Sequence, residues 1–200
     1  RFLSRNKLYT AIEVVGLSLA LAFVIPMICF YTNIARISKG HENYKNIYSL
    51  CVDYVQVSSP GFGDFLKERV PEIDKVTSPI LNNVWYDIEN TNRKIHYVDK
   101  DFFYFFPAKF SKGGIDFLDT PNSIAVSKEF ADYLAKSGPV IGREIDHNSN
   151  RYIVNAVFDE YGSNVLSGCD ILMNNEAIRK SGHNDFIHGH RGSMTFFSVN

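Results

Sequence analysis

From Val14 to Ile34 the sequence reads VVGLSLALAFVIPMICFYTNI and contains no Asp, Glu, Lys or Arg residue. An α-helix rises about 1.5 Å per residue, so a helix over this stretch would span roughly 30 Å, the thickness of the hydrocarbon core of a bilayer. A helix inside a soluble domain is rarely apolar on every side over such a length. The apolar core is also too long for a cleaved signal peptide. The stretch therefore predicts one transmembrane helix, surrounded by the lipid bilayer, near the start of the chain.

Small residues recur at helical spacing inside this predicted helix. Gly16 and Ala20 form one pair with small-xxx-small spacing, and Ser18 and Ala22 form another. Helices in a bilayer associate through close packing, and small residues let two backbones approach each other. We therefore expect Gly16, Ser18, Ala20 and Ala22 to contact other transmembrane helices. Pro26 removes a backbone hydrogen bond and is expected to kink the helix.

The remainder of the chain has the composition of one soluble domain. The 200 residues are 45% hydrophobic and 14% aromatic, which is enough for one substantial core, and the mean hydropathy is -0.13. The formal net charge of -1 gives no basic face, so nucleic acid is not expected as a partner. We expect a flank and the transmembrane helix in residues 1–37 and a soluble domain in residues 38–200. This domain should be incomplete at its C-terminal end, because residues 196–200 read as the middle of a strand.

Strand-like segments dominate the soluble part. Segments rich in β-branched and aromatic residues predict strands. These segments are Ile47–Val57, Val76–Leu81, Val84–Ile88, Lys94–Val98, Asn122–Val126, Arg151–Phe158, Cys169–Met173 and Met194–Val199. The aromatic run from Asp101 to Pro107 is expected to fill the core at one end of the sheet. Because short helices interleave with these strands, the pattern predicts an α+β domain with a mixed or antiparallel sheet.

Helix and turn signals separate the strands. Ser59 and Pro60 form a good helix start, with Ser59 as the N-cap and Pro60 at the first helical position. Ser127 caps a second helix. Three of its residues share helical spacing and are expected to face inward: Phe130, Tyr133 and Leu134. A short third helix is predicted over Asn175–Lys180, and a turn over Asn90–Asn92.

The three cysteines are too few and too scattered for a disulfide framework or a zinc knuckle. Cys29 lies inside the apolar helix. Cys51 and Cys169 border apolar strand-like stretches, which favours two buried free thiols. A disulfide bond between Cys51 and Cys169 is chemically permitted if the domain lies outside the cytoplasm, and the sequence leaves this open.

The histidines near the C-terminal end are the best candidates for metal chemistry. His183, His188 and His190 could gather around Zn²⁺ or Cu²⁺. A polar surface loop fits them better, because nothing fixes their geometry, so neither a metal nor another cofactor is expected. The sequence has no phosphate-binding glycine motif and no nucleophile elbow, so the chain is not itself an ATPase and no catalytic residue is assigned. Dispersed carboxylates such as Asp99 and Asp101 are interpreted as solvated groups at strand ends.

A succession of local patterns resembles the MacB/FtsX-like permeases of ABC transporters. Residues Arg5–Thr10 and Glu13–Ala20 are similar to the opening of the first membrane helix in the Bacteroidetes-type members of that family. Further steps follow in the family's order: His41–Tyr48, Pro71–Ile73, Val98–Phe103, Pro121–Ser127, Ile141–Gly142 and Tyr152–Val157. The chain departs from the family patterns at Lys45, Pro139 and Ala156, which concern turn and surface detail.

The resemblance implies a fold, a location and a set of partners. The chain would be the first membrane helix and the MacB-like periplasmic core domain of a permease subunit in the cell inner membrane, with its N-terminus in the cytoplasm. Such permeases are dimers, so a second copy of the permease is one implied partner, and a cytoplasmic ABC ATPase subunit is another. A periplasmic adaptor and an outer-membrane channel often join them. ATP hydrolysis by the partner would move the periplasmic domain for the export or extraction of a substrate, and the permease itself would not be an enzyme.

Two other classes of protein fit parts of the same sequence. A single-pass receptor or sensor would also combine one helix with an extracytoplasmic ligand-binding domain, and a signalling domain would follow. A membrane-anchored hydrolase would use a metal bound by His183, His188 and His190. The permease is the preferred hypothesis, because it accounts for both the small residues of the helix and a domain without a catalytic motif.

Overall fold

The structure is a computed structural model, and it describes residues 7–39, 46–51, 58–59, 61–159, 168–176 and 193–199. The chain divides into two compact units, Arg1–Tyr44 and Lys45–Asn200. The first unit contains a long apolar helix and the second contains two β-sheets. The domain limits predicted from the sequence, 1–37 and 38–200, stay a prediction.

The first unit is built on one helix, α1, which runs from Lys7 to Lys39. Its segment Leu8–Thr32 has a mean hydropathy of 2.4, and the large apolar side chains along it are exposed. Within the described part of the chain, this is the one helix that is long and apolar enough to cross a membrane. Pro26 lies inside the helix without ending it. Exposed apolar side chains around a helix of this length are what a hydrocarbon environment would cover.

The second unit alternates strands with short helices. Its strands are β1 (Ile47–Ser49), β2 (Ile73–Thr77), β3 (Ile80–Ile88), β4 (Thr91–Val98), β5 (Lys109–Lys112), β6 (Ser123–Ser127), β7 (Glu144–His147), β8 (Asn150–Asp159), β9 (Ile171–Asn174) and β10 (Phe196–Val199). Its α-helices are α2 (Phe62–Arg69), α3 (Phe102–Phe105) and α4 (Lys128–Ala135), and a short 3-10 helix covers Ile115–Asp119.

The strands form two sheets. β1, β10 and β2 make a three-stranded antiparallel sheet, called here the small sheet. The others make a seven-stranded large sheet in the order β3-β4-β9-β6-β8-β5, with β7 also paired to β8. The pairs β4–β9 and β6–β8 are parallel, and the remaining pairs are antiparallel. The prediction of an α+β domain with a mixed sheet is confirmed.

The large sheet is covered on both faces, because its central strands carry apolar residues on either side. In β6, Ile124 and Val126 belong to one core cluster and Ala125 belongs to another. The first cluster includes Phe130 of α4, and the second includes Phe102 of α3. An unbroken apolar strand is typical of a position buried on both faces. The predicted role of the aromatic run in filling the core is confirmed.

Two tight hairpins join strands of the large sheet. Glu89 and Asn90 connect β3 to β4, Asn148 and Ser149 connect β7 to β8, and all four residues have positive φ angles. Two-residue loops with positive φ at both positions match the right-handed twist of the strands that they join. The turn lies at Glu89 and Asn90 and not at the predicted residues 90–92, because Thr91 already begins β4.

The start of α2 differs from its prediction. The N-cap is Gly61 and not Ser59. The carbonyl oxygen of Ser59 instead accepts the amide hydrogen of Phe62 at 3.0 Å, so a turn precedes the first helical residue. Pro60 lies outside the described residues. The helix ends at Arg69, just before Pro71, as the sequence predicts.

The helix α4 agrees with its prediction in all but one side chain. Ser127 is the N-cap, and its hydroxyl oxygen accepts the amide hydrogen of Phe130 at 3.2 Å. Phe130 and Leu134 are fully buried. Tyr133 is 36% exposed, so the prediction that it faces inward is wrong. It lies at the rim of the helix interface, where its hydroxyl donates to the carbonyl oxygen of Glu89 at 3.3 Å.

Most predicted strands are present with shifted ends. The strand predicted over Arg151–Phe158 is confirmed within β8. The two strands predicted between Val76 and Ile88 are divided at Ser78 and Pro79, since a proline cannot donate within a ladder. Sequence reasoning does not predict β5 and β7, which are short. Residues 52–57 of the first predicted strand and 177–180 of the third predicted helix lie outside the described residues.

Candidate functional site

The small residues of α1 lie on two sides of the helix. Successive residues of an α-helix are rotated by about 100°, so Gly16 and Ala20 share one side while Ser18 and Ala22 lie roughly opposite. No atom lies within 4 Å of the position that a Cβ would take on Gly16, so this side is open. The Ser18 hydroxyl donates to the carbonyl oxygen of Val14 at 2.6 Å and is thereby satisfied within the helix. The four small residues thus lie on two opposed sides of the helix, and their contact with other transmembrane helices stays a prediction.

In the domain, the turn that follows β4 links the two sheets through one carboxylate. Asp99 Oδ2 accepts the hydroxyl hydrogen of Thr77 at 2.8 Å and the amide hydrogen of Ser78 at 3.2 Å. Asp99 Oδ1 accepts the amide hydrogen of Phe102 at 2.9 Å. Thr77 is the last residue of β2 in the small sheet, whereas Asp99 directly follows β4 in the large sheet. One side chain at the end of a large-sheet strand therefore holds the last residue of a small-sheet strand.

Burial governs the charge of this carboxylate. It raises the pKa of Asp99 from 3.8 to about 6, although the hydrogen bonds from Thr77 and Ser78 lower the pKa. The negative charge of the neighbouring Asp101 raises it further. At neutral pH Asp99 is ionised, and hydrogen bonds to an ionised acceptor are roughly twice as strong as those between neutral groups.

Asp101 makes weaker contacts from the same turn. Its carboxylate lies 3.6 Å from Lys67 Nζ of α2 and 3.5 Å from Lys75 Nζ of β2. The Lys75 ammonium also lies 5.2 Å from the ring centre of Tyr104. Both lysine side chains are more than a third exposed, and ion pairs of this kind contribute about 0–1 kcal/mol. Asp101 therefore adds contacts between the sheets without dominating them.

Buried hydroxyl groups form the rest of the junction between the sheets. Thr195 Oγ1 lies 2.7 Å from Ser58 Oγ and 2.9 Å from Ser78 Oγ. Ser193 forms isolated bridges with Ser58 and with Ile80, the first residue of β3. All four hydroxyl residues are at least nine-tenths buried. The junction is therefore a polar seam inside the domain.

Two of the clefts among the described residues adjoin the groups named in this section. One cleft of about 290 Å³ lies beside the Asp99–Asp101 turn. Its lining includes Gly63 of α2 and Asn175, which follows β9. The other, of about 770 Å³, is lined mainly by charged residues that include Arg93 and Lys128. In the larger cleft, Ser127 Oγ accepts the amide hydrogen of Phe130, and Cys169 Sγ donates to the carbonyl oxygen of Ile171.

Arg93 in the larger cleft is held by the fold itself. Its guanidinium donates to Asp170 at 3.1 Å and to Thr91 at 3.0 Å. It also lies over the ring of Phe130, 4.4 Å from the ring centre, and over the ring of Tyr133. Asp170 in turn accepts the amide hydrogen of Lys94 at 2.9 Å. These contacts leave Arg93 joining α4 to the large sheet.

The candidate histidines His183, His188 and His190, for which the sequence favours a polar surface loop over a metal site, lie outside the described residues. Within the ranges that the structure describes, no group of three or more His, Cys, Asp or Glu side chains could hold a metal ion. The described His96 is buried, and burial lowers its pKa to about 4, with a further contribution from Lys94.

The cysteines are free thiols in different environments. Cys169 is buried and donates to the carbonyl oxygen of Ile171 at 3.3 Å. Cys51 is exposed, so the prediction that it is buried is wrong. It lies beyond the end of β1, where no core cluster covers it.

The interpretation of Asp99 as a solvated strand end is wrong. Its donors Thr77 and Ser78 lie in a distant part of the sequence, and only the fold brings them to it. One local signal was available, because a side-chain oxygen that accepts the amide hydrogen three residues later is typical of a helix cap. Asp99 stands three residues before Phe102, the first residue of α3.

The chain matches the family of MacB-like periplasmic core domains over residues 10–196. A solved domain of a permease protein from Porphyromonas gingivalis shares the fold, with a TM-score of 0.58 and 16% identity over 73% of this chain and 64% of that chain. The periplasmic region of MacB from Actinobacillus actinomycetemcomitans gives a TM-score of 0.53 with 11% identity, over 77% of this chain and 73% of that chain. The extracellular domain of the noncanonic ABC-type transporter YknZ from Gram-positive bacteria gives a TM-score of 0.53 with 14% identity, over 77% of this chain and 82% of that chain. No curated protein matches the chain in sequence.

These similarities carry different weights. At identities of 11–16% the solved structures show the fold alone, and the chain spans 64% of the Porphyromonas gingivalis structure. The family match is broader, because it begins inside α1 and continues to the first residue of β10. The resemblance drawn from the sequence motifs is confirmed, and the chain belongs to the family of MacB-like periplasmic core domains.

Proposed function

We propose that the chain is part of the permease subunit of an ABC transporter. It supplies the first transmembrane helix and the periplasmic core domain. A partner subunit hydrolyses ATP in the cytoplasm, and the permease converts this reaction into movement of the periplasmic domain. That movement exports a substrate or extracts it from the membrane. The observation that carries the proposal is the family match over residues 10–196, which covers most of the apolar helix and nearly all of the domain.

The structural relatives and the chemistry of the chain support this proposal. One relative is a domain of a permease protein, and two others are regions of MacB and of an ABC-type transporter outside the membrane. The sequence of this chain contains no phosphate-binding glycine motif, and the proposal assigns ATP binding to the partner subunit. The family thus favours a transporter component over an enzyme.

The location and the partners follow from the same proposal. The protein lies in the inner membrane with its N-terminus in the cytoplasm and its domain in the periplasm. Its partners are an ABC ATPase subunit and a second copy of the permease. A periplasmic adaptor and an outer-membrane channel complete an efflux pathway. The exposed apolar surface of Leu8–Thr32 faces lipid and neighbouring helices.

Affinity purification of the full-length protein from its native membranes tests the proposal. The expected result is a stoichiometric nucleotide-binding subunit that copurifies and hydrolyses ATP. Copurification of a kinase or a response regulator would instead support the single-pass receptor or sensor. A full-length protein with only one transmembrane helix would also contradict the permease.

The two small-residue sides of α1 are proposed to pack against other transmembrane helices. Replacing Gly16 and Ala20 together by Leu should lower the recovered complex by about tenfold, because large side chains keep helix backbones apart. The same result is expected for Ser18 and Ala22. Recovery of the partner subunits per molecule of permease in the membrane measures the effect.

A matched control separates packing from membrane insertion. Val15→Leu also adds apolar volume, but at a position that already carries a large side chain, and should leave the recovery unchanged. Leu favours insertion into the bilayer, so all variants should reach the membrane in equal amounts. If the paired variants recover as much complex as Val15→Leu, the proposed packing role of these small residues is wrong.

A further inference from the structure

Among the described residues, the contacts between the two sheets cluster at the polar junction, where Asn175 Nδ2 beyond β9 also donates to the carbonyl oxygen of Ser78 at 3.4 Å. Along the chain, only Ser78 and Pro79 separate β2 of the small sheet from β3 of the large sheet. Among the described residues, the sheets share no continuous ladder, and only the isolated bridge between Ile80 and Ser193 lies where they meet. An edge-to-face contact between Phe106 and Phe196, with ring centres 4.9 Å apart, adds apolar contact. The relative position of the sheets therefore depends on side chains.

Asp99 makes the strongest of these side-chain contacts. It is the one group of the junction that is charged and partly buried and that accepts three hydrogen bonds. The hydroxyl contacts of Thr195 join neutral groups, which form weaker hydrogen bonds. The ion pairs of Asp101 are exposed and screened by solvent. Loss of Asp99 would therefore weaken the junction more than loss of any other polar group.

The small sheet is also the sheet that follows the membrane helix in the sequence. Helix α1 ends at Lys39 and β1 begins at Ile47, so residues 40–46 connect the membrane segment to the small sheet. A displacement of α1 that travels along the chain reaches β1 first. The large sheet contains most of the strands, and along the chain it is reached through β2 and the Ser78–Pro79 connection.

We infer that Asp99 is a positioning residue that fastens the small sheet to the large sheet, so that a displacement entering at β1 moves both sheets together. The source of that displacement rests on the proposed function, whereas the fastening does not. The cleft of about 290 Å³ beside the turn leaves space for the two sheets to shift when the hydrogen bonds of Asp99 are weakened. The inference predicts that the small sheet loosens on its own when Asp99 loses its donors or its acceptor oxygens.

Hydrogen exchange of the full chain in detergent tests the fastening. Thr77→Val removes one donor to Asp99 and keeps the shape of a buried side chain, so this variant should fold. Asp99→Ala removes the acceptor altogether. The amide hydrogens of β2 and β10 should then exchange about tenfold faster, whereas those of β6 and β9 should not change. Equal acceleration in both sheets, or no acceleration in β2, would overturn the inference.

Asp170 provides a matched control within the large sheet. Its carboxylate also accepts a backbone amide hydrogen, from Lys94, and a side-chain donor, from Arg93. Asp170→Ala should accelerate exchange in β4 and β9 and leave β2 and β10 unchanged. Asp99→Asn keeps an oxygen that can accept from Thr77 and Ser78, so it should restore most of the protection that Asp99→Ala loses.

A second measurement addresses the coupled movement. In the purified complex with its nucleotide-binding subunit, addition of ATP should change exchange in both sheets of the unmodified protein. In the Thr77→Val complex, ATP should change exchange in the small sheet alone. An equal response of both sheets in that variant would overturn the coupling. If no such subunit copurifies, the proposed function fails, while the exchange data without ATP still decide whether Asp99 fastens the sheets.

Discussion

Replacing Phe130 by Ala is expected to lower the free energy of unfolding of the domain by about 3–5 kcal/mol. Phe130 is fully buried in the core cluster between α4 and the large sheet. Its removal leaves a cavity, and it also removes the ring beneath the Arg93 guanidinium, 4.4 Å away. Arg93 then loses part of the support for its ion pair with Asp170. The variant should therefore weaken both the core and the attachment of α4.

Urea unfolding of the chain in detergent measures this effect. The chain has one tryptophan, Trp85 in β3, so its fluorescence reports on the domain and not on α1. Tyr133→Ala is the matched control, since Tyr133 also lies against Arg93 but is 36% exposed, and it should cost only about 1 kcal/mol. Leu fills most of the cavity that Ala leaves, so the loss of unfolding free energy for Phe130→Leu should lie between those for Phe130→Ala and Tyr133→Ala. Equal losses for Phe130→Ala and Tyr133→Ala would contradict the central role of Phe130 in the core.

The sequence predicts α4 well because the decisive interactions are local. Ser127 can only cap the residues that follow it, and the spacing of Phe130 and Leu134 places both on one side of a helix. The same holds for β8, where alternation extends over a long strand. Tyr133 shows the limit of such reasoning. Its spacing fits the buried stripe, but its position at the rim depends on where the hairpin at Glu89 lies.

The two short strands that the sequence does not predict depend on their partner. Lys109–Lys112 carries two lysines, a composition with low strand propensity, and it pairs with the end of β8. Glu144–His147 alternates exposed and buried residues and is followed by the Asn148–Ser149 turn. Polar turn residues between alternating segments are a hairpin signal, so β7 could have been found. β5 carries no such signal.

The order of the large sheet and the role of Asp99 are not encoded locally. β4 pairs in parallel with β9, which lies far along the chain, and β6 inserts between β9 and β8. Such an arrangement follows from the packing of two core clusters and not from any short segment. Asp99 becomes a partly buried acceptor only because this topology brings Thr77 to it. Sequence motifs identify the family, but the junction between the sheets is visible only in the structure.

Two ionisable groups are expected to give the stability of the domain opposite dependences on pH. Burial raises the pKa of Asp99 from 3.8 to about 6, so the folded domain favours its neutral form. Burial, aided by Lys94, lowers the pKa of His96 from 6.5 to about 4, which again favours the neutral form. The contribution of Asp99 to stability is therefore complete below pH 3.8 and is lost as the pH rises through 6. The contribution of His96 is complete above pH 6.5 and is lost as the pH falls through 4.

Single variants should separate these two opposing effects. Asp99→Asn removes the pH-dependent contribution of Asp99 and leaves that of His96. The free energy of unfolding of this variant should therefore rise by about 3 kcal/mol between pH 4 and 6.5. His96→Phe removes the pH-dependent contribution of His96 and leaves that of Asp99. The free energy of unfolding of this variant should therefore fall by about 3 kcal/mol between pH 4 and 6. In the unmodified domain the two slopes largely cancel. Urea unfolding at a series of pH values, followed by Trp85 fluorescence, measures all three curves.

The double variant, Asp99→Asn with His96→Phe, supplies the baseline for these curves. Burial also lowers the pKa of His147, and the double variant shows the contribution of His147 without those of Asp99 and His96. Subtracting that baseline should leave slopes of opposite sign for the two single variants. If both single variants follow the baseline, burial does not hold either group neutral. The hydrogen bonds from Thr77 and Ser78, which lower the pKa of Asp99, would then offset the effect of its burial in full, and the carboxylate would be ionised at no cost to the fold.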